Sequence, residues 1–329
     1  MIHLTGAGKR SVSFGIVAIA LISASPMAPA QDYPAKPIRF IVPLSPGGLV
    51  DVLVRSVGQE LQRKWSQQAV IDNRPGANLI VGLEACAKSA ADGYTLCIGS
   101  NGALTANPFL YSNLPYNVER DFEPVVNLVR PIEVLIAHPA TATSVQQLLS
   151  KARGDGGGLS YGSIGEGSGP HLMIEWIKRT AGLKLNHVPY KGAAPVVTAL
   201  ISGEVQLSYF GLGNVQQHIK AGRIAALAVG RPVRSPLFPD VPTMAEAGLP
   251  GFVSSWFAVL APRATPKPIV SQLASELTRI VRDPAFVEKQ LAPLGVDPAG
   301  GTPEELAQLL KTDLVRAKEL VRLAGARVQ

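Results

Sequence analysis

The chain has 329 residues and a formal net charge of +7 at pH 7. Because the basic residues are scattered along the sequence rather than clustered, nothing supports a nucleic-acid-binding function. A modest positive field of this kind is suited to attracting anionic solutes.

The N-terminus has the features of a secretory signal peptide. Lys9 and Arg10 form a basic region, Val12–Ala24 an apolar stretch, and Ala28-Pro29-Ala30 a small-x-small cleavage site. The apolar stretch is too short to span a bilayer, and no later segment has about eighteen consecutive apolar residues. We therefore expect residues 1–30 to be removed by cleavage near Ala30, which lowers the net charge from +7 to +5 and leaves a soluble exported protein.

The stretch Ile38–Asp51 predicts a strand, a glycine turn and a helix. Its apolar, β-branched start is typical of a strand buried on both faces, and Gly47-Gly48 allow close approach of the backbone to a ligand. The helix is indicated by an apolar i+4 stripe of Leu49, Leu53, Val57, Leu61 and Trp65. This arrangement aims free backbone N–H groups at an anion, although an ordinary tight turn fits equally well. Asp51 is expected to hold the turn in place.

The first half of the chain continues with alternating strands and helices. Strands are predicted at residues 69–71 and 94–98, with a helix at 81–90 between them. The loop Gly99–Gly102 follows the later strand, at the edge where open parallel sheets bind ligands. Cys86 and Cys97 fall in the predicted helix and strand. Two isolated cysteines do not make a disulfide scaffold, so we expect two buried thiols rather than a bridge.

A second lobe is expected after Pro131, which separates extended runs at residues 122–129 and 133–137. A strand at 159–162 is followed by the Gly/Ser loop 163–169, and Pro170 opens a helix at its favoured first position. Further strands are predicted at 187–190, 206–210 and 224–230, and helices at 144–153 and 214–221. The strand at 159–162, the Gly/Ser loop and the start of the helix resemble the Ile38–Asp51 unit in physical design. The N-termini of the two helices can therefore converge on one ligand.

The chain then returns to the first lobe through residues 252–261. Helices are predicted at 266–282, at 284–294 and from Thr302 onward, where Thr302 and Glu305 form a capping box. The 299 residues that remain after cleavage (329 − 30) fit two lobes better than one core. Two crossings between lobes suit hinge closure.

Motifs for catalysis and metal binding are weak or missing in the sequence. Gly158–Gly162 match G-x-S-x-G, but Ser160 lies inside a predicted strand rather than on a turn after it, which argues against a hydrolase elbow. The histidines and cysteines lack metal-ligand spacing, and the chain has neither a dinucleotide fingerprint nor a Walker loop. His171, near the Gly/Ser loop, fits either an anion donor or a structural role.

A carboxylate can be held here without an arginine. Its removal from water costs several kcal/mol, while each hydrogen bond to the charged group returns about 1.5–3 kcal/mol. Four or five amides and hydroxyls with a helix terminus, which adds about 0.3–1 kcal/mol, exceed that cost.

Nine ordered segments between Tyr33 and the C-terminal helix form a recognisable pattern. They are YPAKPIRFIVPLSPGG (33–48), DNRPGAN (72–78), ADGYTL (91–96), LPYNVERDFEPV (114–125), YGSIGEGSGPHL (161–172), HVPYKGAAP (187–195), HIKAGRIAALAV (218–229), FPDVPTMAEAGLPGF (238–252) and GGTPEEL (300–306). In these segments the chain resembles the solute receptors of tripartite tricarboxylate transporters, also called Bug-type extracytoplasmic receptors.

The resemblance implies an α/β, two-lobe periplasmic binding protein of the type II-like class. Each lobe would be a mostly parallel sheet flanked by helices, with two crossover strands between the lobes. We expect residues 31–130 and 255–329 to form lobe 1 and residues 131–254 to form lobe 2. The implied protein is a periplasmic monomer, not an enzyme, that closes on a small organic carboxylate without cofactor or metal and presents it to membrane permease subunits.

The resemblance also implies a set of ligand-binding residues. They come from the loops that face the cleft: Ser45, Gly47, Gly48, Ser100, Asn101, Ser163, Ser168 and His171. Many relatives have Asp-Asn where this chain has Phe210-Gly211, and an aromatic residue is common where it has Leu44. We add Phe210 to the expected site and expect a ligand whose far end is less polar. A ligand sensor for a membrane kinase, with the same fold, is the alternative function; an enzyme fits less well.

Overall fold

The computed structural model describes residues 33–153, 158–249 and 255–326, together with Met1 and His3. The predicted signal peptide, apart from Met1 and His3, therefore lies outside the described residues. So do most of the loop at 154–158 and the start of the predicted return segment at 252–254. Within the described ranges, no helix combines the length and apolarity needed to cross a membrane.

The first sheet has six strands in the order β11-β4-β10-β3-β1-β2. Strands β1 to β4 run in one direction, and β10 and β11 run against them. The strands are β1 (Ile38–Val42), β2 (Ala69–Asn73), β3 (Thr95–Ser100), β4 (Phe122–Pro131), β10 (Phe257–Pro262) and β11 (Val296–Pro298).

The second sheet has five strands in the order β7-β6-β8-β5-β9. Only β5 runs against the others. The strands are β5 (Glu133–Ala137), β6 (Ser160–Ser163), β7 (Asn186–Pro189), β8 (Leu207–Gly211) and β9 (Ala225–Val229).

Each sheet contains an antiparallel strand contributed by a segment that has just crossed from the other sheet. The chain leaves the first sheet after β4 and enters the second as β5, between β8 and β9. It returns as β10, between β3 and β4. The two-lobe α/β architecture with two crossings is thus confirmed. The sheets are mixed rather than mostly parallel, because the crossing strands and β11 pair antiparallel with their neighbours. The lobe boundaries at residues 130 and 254 stay a prediction.

Helices cover the faces of both sheets. Around the first sheet lie α1 (Leu49–Trp65), α2 (Ile80–Ala87), α3 (Asn107–Leu110), α4 (Val118–Asp121), α9 (Lys267–Arg282), α10 (Pro284–Phe286) and α11 (Pro303–Ala324). The second sheet is flanked by α5 (Val145–Arg153), α6 (Gly169–Ala181), α7 (Ala193–Ser202) and α8 (Gln216–Lys220). The predicted apolar stripe of α1 is confirmed, since Leu53, Val57 and Leu61 are buried in the first core. The capping box at Thr302 is also confirmed: Glu305 N–H donates to its hydroxyl, and its own N–H donates to Glu305.

Some sequence-based expectations were wrong. The polar loop expected at Gly99–Gly102 is the end of β3 followed by a π-helical turn, Gly102–Ala106. The single helix expected at 284–294 is broken into α10, a π-helical turn at Val287–Leu291 and a 3₁₀ turn at Ala292–Leu294. Strand β11, which follows them, was not predicted.

The expectation of two free thiols was also wrong. Cys86 on α2 and Cys97 on β3 form a disulfide with their Cα atoms 6.1 Å apart. Both residues are fully buried, as expected, in the core between α2 and the first sheet. Each residue was placed in the right kind of element, but the sequence does not tell whether the two side chains face each other.

Candidate functional site

A cavity of about 70 Å³ lies between the two sheets. Its walls come from both: the π-helical turn after β3 and helix α11 on one side, and the start of α6 with β5 and β8 on the other. The lining residues are Asn101, Thr105, Ala106, Glu133, Gly169, Pro170, Leu172, Met173, Tyr209, Ser255, Asp313, Ala317 and Leu320. This volume has room for more than one water molecule.

Two hydrogen bonds made by the backbone of Asn101 hold this residue at the cavity. Its N–H donates to the carbonyl of Trp256 at 3.1 Å, and its carbonyl accepts from the Thr105 hydroxyl at 2.7 Å. The preceding Ser100 uses its hydroxyl to accept from Ala103 N–H at 3.2 Å, which fixes the start of the π-helical turn. Asn101 therefore lines the cavity, while Ser100 supports the turn beside it.

The Gly/Ser loop before α6 is closed by its own side chains. The Ser163 hydroxyl accepts from Gly165 N–H at 3.1 Å, and the Ser168 hydroxyl donates to the Gly165 carbonyl at 2.6 Å. Gly165 and Gly167 have φ angles of 118° and 72°, a region that favours glycine. Ser168 occupies the N-cap position of α6, but its side chain makes no capping hydrogen bond to the helix. Gly169 and Pro170 carry this helix terminus to the cavity.

His171 supports the Gly/Ser loop through a hydrogen bond and a ring stack. Its ring Nδ1 accepts from Gly167 N–H at 3.0 Å, so the proton of the neutral ring lies on Nε2. The ring stacks on His187, with centroids 4.2 Å apart, and His187 in turn stacks on Tyr161 at 4.9 Å. Burial is the main cause that lowers the pKa of His171, and it lowers the pKa of His187 to about 4. Both contacts give His171 a positioning role at the loop.

The first glycine turn is held by Asp51, as predicted. The buried carboxylate accepts from Gly47 N–H at 2.9 Å, from Arg55 at 3.0 Å and from the Asn73 amide at 2.9 Å. The bond from Arg55 is the main cause that lowers the pKa of Asp51 to about 2. Since Gly47 N–H donates to Asp51, it is not a free donor in this structure.

Replacing Asp51 by alanine is expected to destabilise the protein by about 2 kcal/mol, because several buried hydrogen bonds lose their acceptor. Urea unfolding at neutral pH measures this change. Glu60→Ala, which removes a surface ion pair with Arg63 on the same helix, is the matched control and should change stability by less than about 1 kcal/mol. The Asp51 contribution is present above about pH 4 and is lost as the pH falls toward 2, since the folded-state pKa is lowered. Equal stability of Asp51→Ala and wild type would contradict this role.

The expected site residues are thus only partly brought together. Asn101 lines the cavity, and Ser168 and His171 flank the cavity residues Gly169 and Pro170. Ser100 and Ser163 support the neighbouring turns. Ser45, Gly47 and Gly48 are exposed on the turn before α1 and do not line this cavity; their contact with a ligand stays a prediction.

Phe210 lies in the core of the second sheet rather than at the cavity. It is 4% exposed and packs with Val134, Ile136 and Val196. Its neighbour Tyr209 lines the cavity, because successive residues of a strand point to opposite faces. The expectation of a less polar ligand end was based on Phe210 and Leu44; it loses the support of Phe210 and otherwise stays a prediction.

Glu133, Tyr209, Ser255 and Asp313 were not anticipated as cavity residues. Of these, Glu133 carried a signal, since a charged residue at the start of an otherwise apolar strand needs an explanation. Within the described residues, no group of His, Cys, Asp and Glu side chains is arranged to hold a metal ion.

Most of the chain matches one known protein family. The family described as "Tripartite tricarboxylate transporter family receptor" (TctC) matches residues 53–325. The chain belongs to this family. The likeness noted in the sequence is therefore confirmed, and the TctC family is one of transport receptors rather than enzymes.

Individual TctC relatives match over nearly the whole chain. BugT of Bordetella pertussis is 36% identical over 95% of this chain and 98% of its own length. The structure "R. palustris Rpa4515 with adipate" is 35% identical, has a TM-score of 0.82, and covers 90% of this chain and 100% of that one. "MatC (Rpa3494) from Rhodopseudomonas palustris with bound malate" is 29% identical, with a TM-score of 0.76 over 88% of this chain and 100% of that one.

Proposed function

We propose that this TctC-family protein is a periplasmic receptor that binds a small carboxylate between its two lobes. It delivers the ligand unchanged to the membrane permease of a tripartite tricarboxylate-type transporter. The single observation that carries the proposal is the cavity, where the start of α6 and the amide of Asn101 approach from different sheets. Family membership and relatives solved with adipate and malate, both dicarboxylates, support the ligand class.

The start of α6 is suited to an anion. Gly169 and His171 have first-turn N–H groups without an acceptor in the helix, while Pro170 between them has no N–H. The hydroxyl of Ser168 is used elsewhere. The helix dipole favours negative charge at this end. An Asn side chain adds an amide donor from the opposite wall. Together these neutral donors can hold a carboxylate that needs no arginine.

Closure about the crossing segments would bring the remaining predicted residues to the ligand. We propose residues 31–130 with 255–329 as one lobe and residues 131–254 as the other. Rotation between them is the usual motion of two-lobed receptors, and it would bring the exposed turn at Ser45–Gly48 toward the Gly/Ser loop.

Isothermal titration calorimetry with adipate, malate and succinate tests the proposal. We expect at least one to bind, and we expect Asn101→Asp to weaken that binding at least tenfold, because the new carboxylate repels the ligand at nearly unchanged shape. Asn113→Asp makes the same chemical change at an exposed position and should bind normally. Equal binding by both variants, or no binding to any small carboxylate, would reject the proposed site.

A further inference from the structure

An ion pair joins the edges of the two sheets. Arg231, two residues after β9, donates from Nε and Nη2 to the two carboxylate oxygens of Asp297 in β11, at 2.9 and 3.1 Å. The two side chains are 16% and 32% exposed, and a bidentate pair of this kind fixes the orientation of both partners. Among the described residues, it is the one ion pair that connects the part of the chain built around the first sheet with the part built around the second.

Each partner of this pair is anchored to its own sheet. Gly230 N–H donates to the carbonyl of Glu133 in β5 at 2.8 Å, which fixes the backbone next to Arg231. Asp297 lies in β11, where it stands opposite Arg130 of β4 in the antiparallel register. Because both partners move with their sheets, a rotation of one sheet against the other changes the distance between the two side chains.

The crossing between β4 and β5 lies beside the ion pair. Ile132, the residue between these strands, donates from its N–H to the Gly295 carbonyl at 2.9 Å and accepts from Leu212 N–H at 2.6 Å. The backbones are also in close contact here, since a Cβ atom on Gly213 would clash with the Leu294 carbonyl. Groups packed this closely do not slide past one another, so this crossing is the pivot about which the two sheets can turn.

The ion pair and the two glycine-bearing loops lie on opposite sides of this pivot. The strand orders place β11 on one side of the crossing strand β4 and β1 on the other, and they place β9 on one side of the crossing strand β5 and β6 on the other. Strands β1 and β6 lead into the turn at Ser45–Gly48 and into the Gly/Ser loop, whereas β9 and β11 carry Arg231 and Asp297. A rotation that brings the two loops together therefore draws the ion pair apart.

We propose that the Arg231–Asp297 ion pair is a latch that holds the ligand-free receptor against closure. This inference rests on the proposed function, because the carboxylate ligand must supply the free energy that breaks the latch. A receptor whose binding-competent arrangement is only partly populated has its affinity reduced by that fraction. The latch thus sets the affinity from a position outside the cavity, and it keeps the empty receptor different in shape from the loaded one.

Arg231→Met and Asp297→Asn break the latch from its two sides. For whichever of adipate, malate and succinate binds wild type, we expect each variant to bind at least about fivefold more tightly in calorimetric titrations. The double variant should gain no more than either single variant, because both changes remove the same interaction. Long-range electrostatics predicts a different pattern: loss of a positive charge weakens anion binding, and loss of a negative charge strengthens it.

Arg234→Met is the matched control. Arg234 belongs to the same loop as Arg231 and pairs with Glu246 at 2.9 Å, but both of these partners belong to the part of the chain built around the second sheet. The control removes the same charge as Arg231→Met without touching a contact between the sheets. It should therefore bind the ligand with the affinity of wild type.

Small-angle X-ray scattering of the ligand-free proteins gives a second readout. Wild type should contract when the ligand is added, because two-lobed receptors close around it. Ligand-free Arg231→Met and Asp297→Asn should already have a smaller radius of gyration than ligand-free wild type, since closure no longer has to break the ion pair. Ligand-free Arg234→Met should have the dimensions of wild type.

The outcomes separate the latch from the proposed function. If Arg231→Met and Asp297→Asn keep the affinity and the dimensions of wild type, the latch is rejected while carboxylate binding stands. Weaker binding by both variants would mean that the ion pair holds the closed arrangement, and opposite changes would assign the effect to long-range electrostatics; either result overturns the latch. If none of the three acids binds wild type, the proposed function fails, and the dimensions of the ligand-free variants still decide whether the latch exists.

Discussion

Acidification from about pH 6.5 to about pH 4 is expected to destabilise the protein through His187. An unfolded histidine takes up a proton near pH 6.5, whereas burial delays protonation of folded His187 until about pH 4. The stability that depends on the neutral ring is therefore complete above pH 6.5 and falls as the pH approaches 4. We expect a loss of about 2 kcal/mol after allowance for solvent screening.

The physical reason is the position of the ring within a stack. His187 has Tyr161 and His171 as stacking partners, at 4.9 and 4.2 Å, and its Nε2 lies 2.6 Å from the Ser163 hydroxyl. Nearby charges partly cancel, since Glu166 and Glu175 favour the protonated form while His171 and Lys178 oppose it. Burial is the largest influence and sets the sign.

Acid should also loosen the loop beside the cavity. Protonation of His171 would place a proton on Nδ1, the atom that accepts from Gly167 N–H. The loop at Gly165–Gly167 would then lose one of its supports, and carboxylate binding should weaken together with stability.

Urea unfolding at a series of pH values provides the measurement. His187→Phe keeps an aromatic ring in the stack but cannot be protonated, so its stability should depend less steeply on pH than that of wild type. His218→Gln removes a histidine outside this stack and should keep the wild-type profile. If His187→Phe and wild type have parallel profiles between pH 6.5 and 4, the titration of His187 does not control acid stability.

The periodic elements of this protein could be predicted from the sequence. Strand β1 begins and ends where the apolar run does, and α1 and α11 begin at the residues that the turn and capping signals indicate. These signals are local, because they depend on side-chain spacing and on caps within a few residues. The two crossings between the lobes also followed from the succession of predicted elements, whereas the order of strands within each sheet was not predicted.

The cavity could be predicted only in part, because its walls depend on contacts between distant segments. In β8, residues on both faces are buried, so no alternation of polar and apolar residues tells which face Tyr209 and Phe210 occupy. The π-helical turn after Ser100 packs against α11, far away in sequence, and has no periodicity of its own. Glu133 meets Tyr209 through the pairing of β5 with β8, which the sequence does not reveal.

Removal of the Cys86–Cys97 disulfide is expected to lower the free energy of unfolding by about 3 kcal/mol. The bridge closes a short loop, with a sequence separation of 11 residues, and a loop of about this size restricts the unfolded chain by roughly that amount. The double variant Cys86→Ala/Cys97→Ala removes the bridge without leaving a free thiol. Urea unfolding of the oxidised wild type and the double variant gives the difference.

Adding a reductant distinguishes the stability due to the covalent Cys86–Cys97 bond from the stability due to packing of the two sulfur atoms. Both sulfur atoms are buried between α2 and the first sheet, so alanine at these positions also leaves a small cavity that costs stability. Reduced wild type retains the sulfur atoms and loses only the covalent link; it should therefore lie between the oxidised protein and the double variant in stability. The double variant itself should not respond to reductant. A wild type that is equally stable with and without reductant, after its thiols are shown to be free, would mean that packing of α2 on β3 holds this region without the bridge.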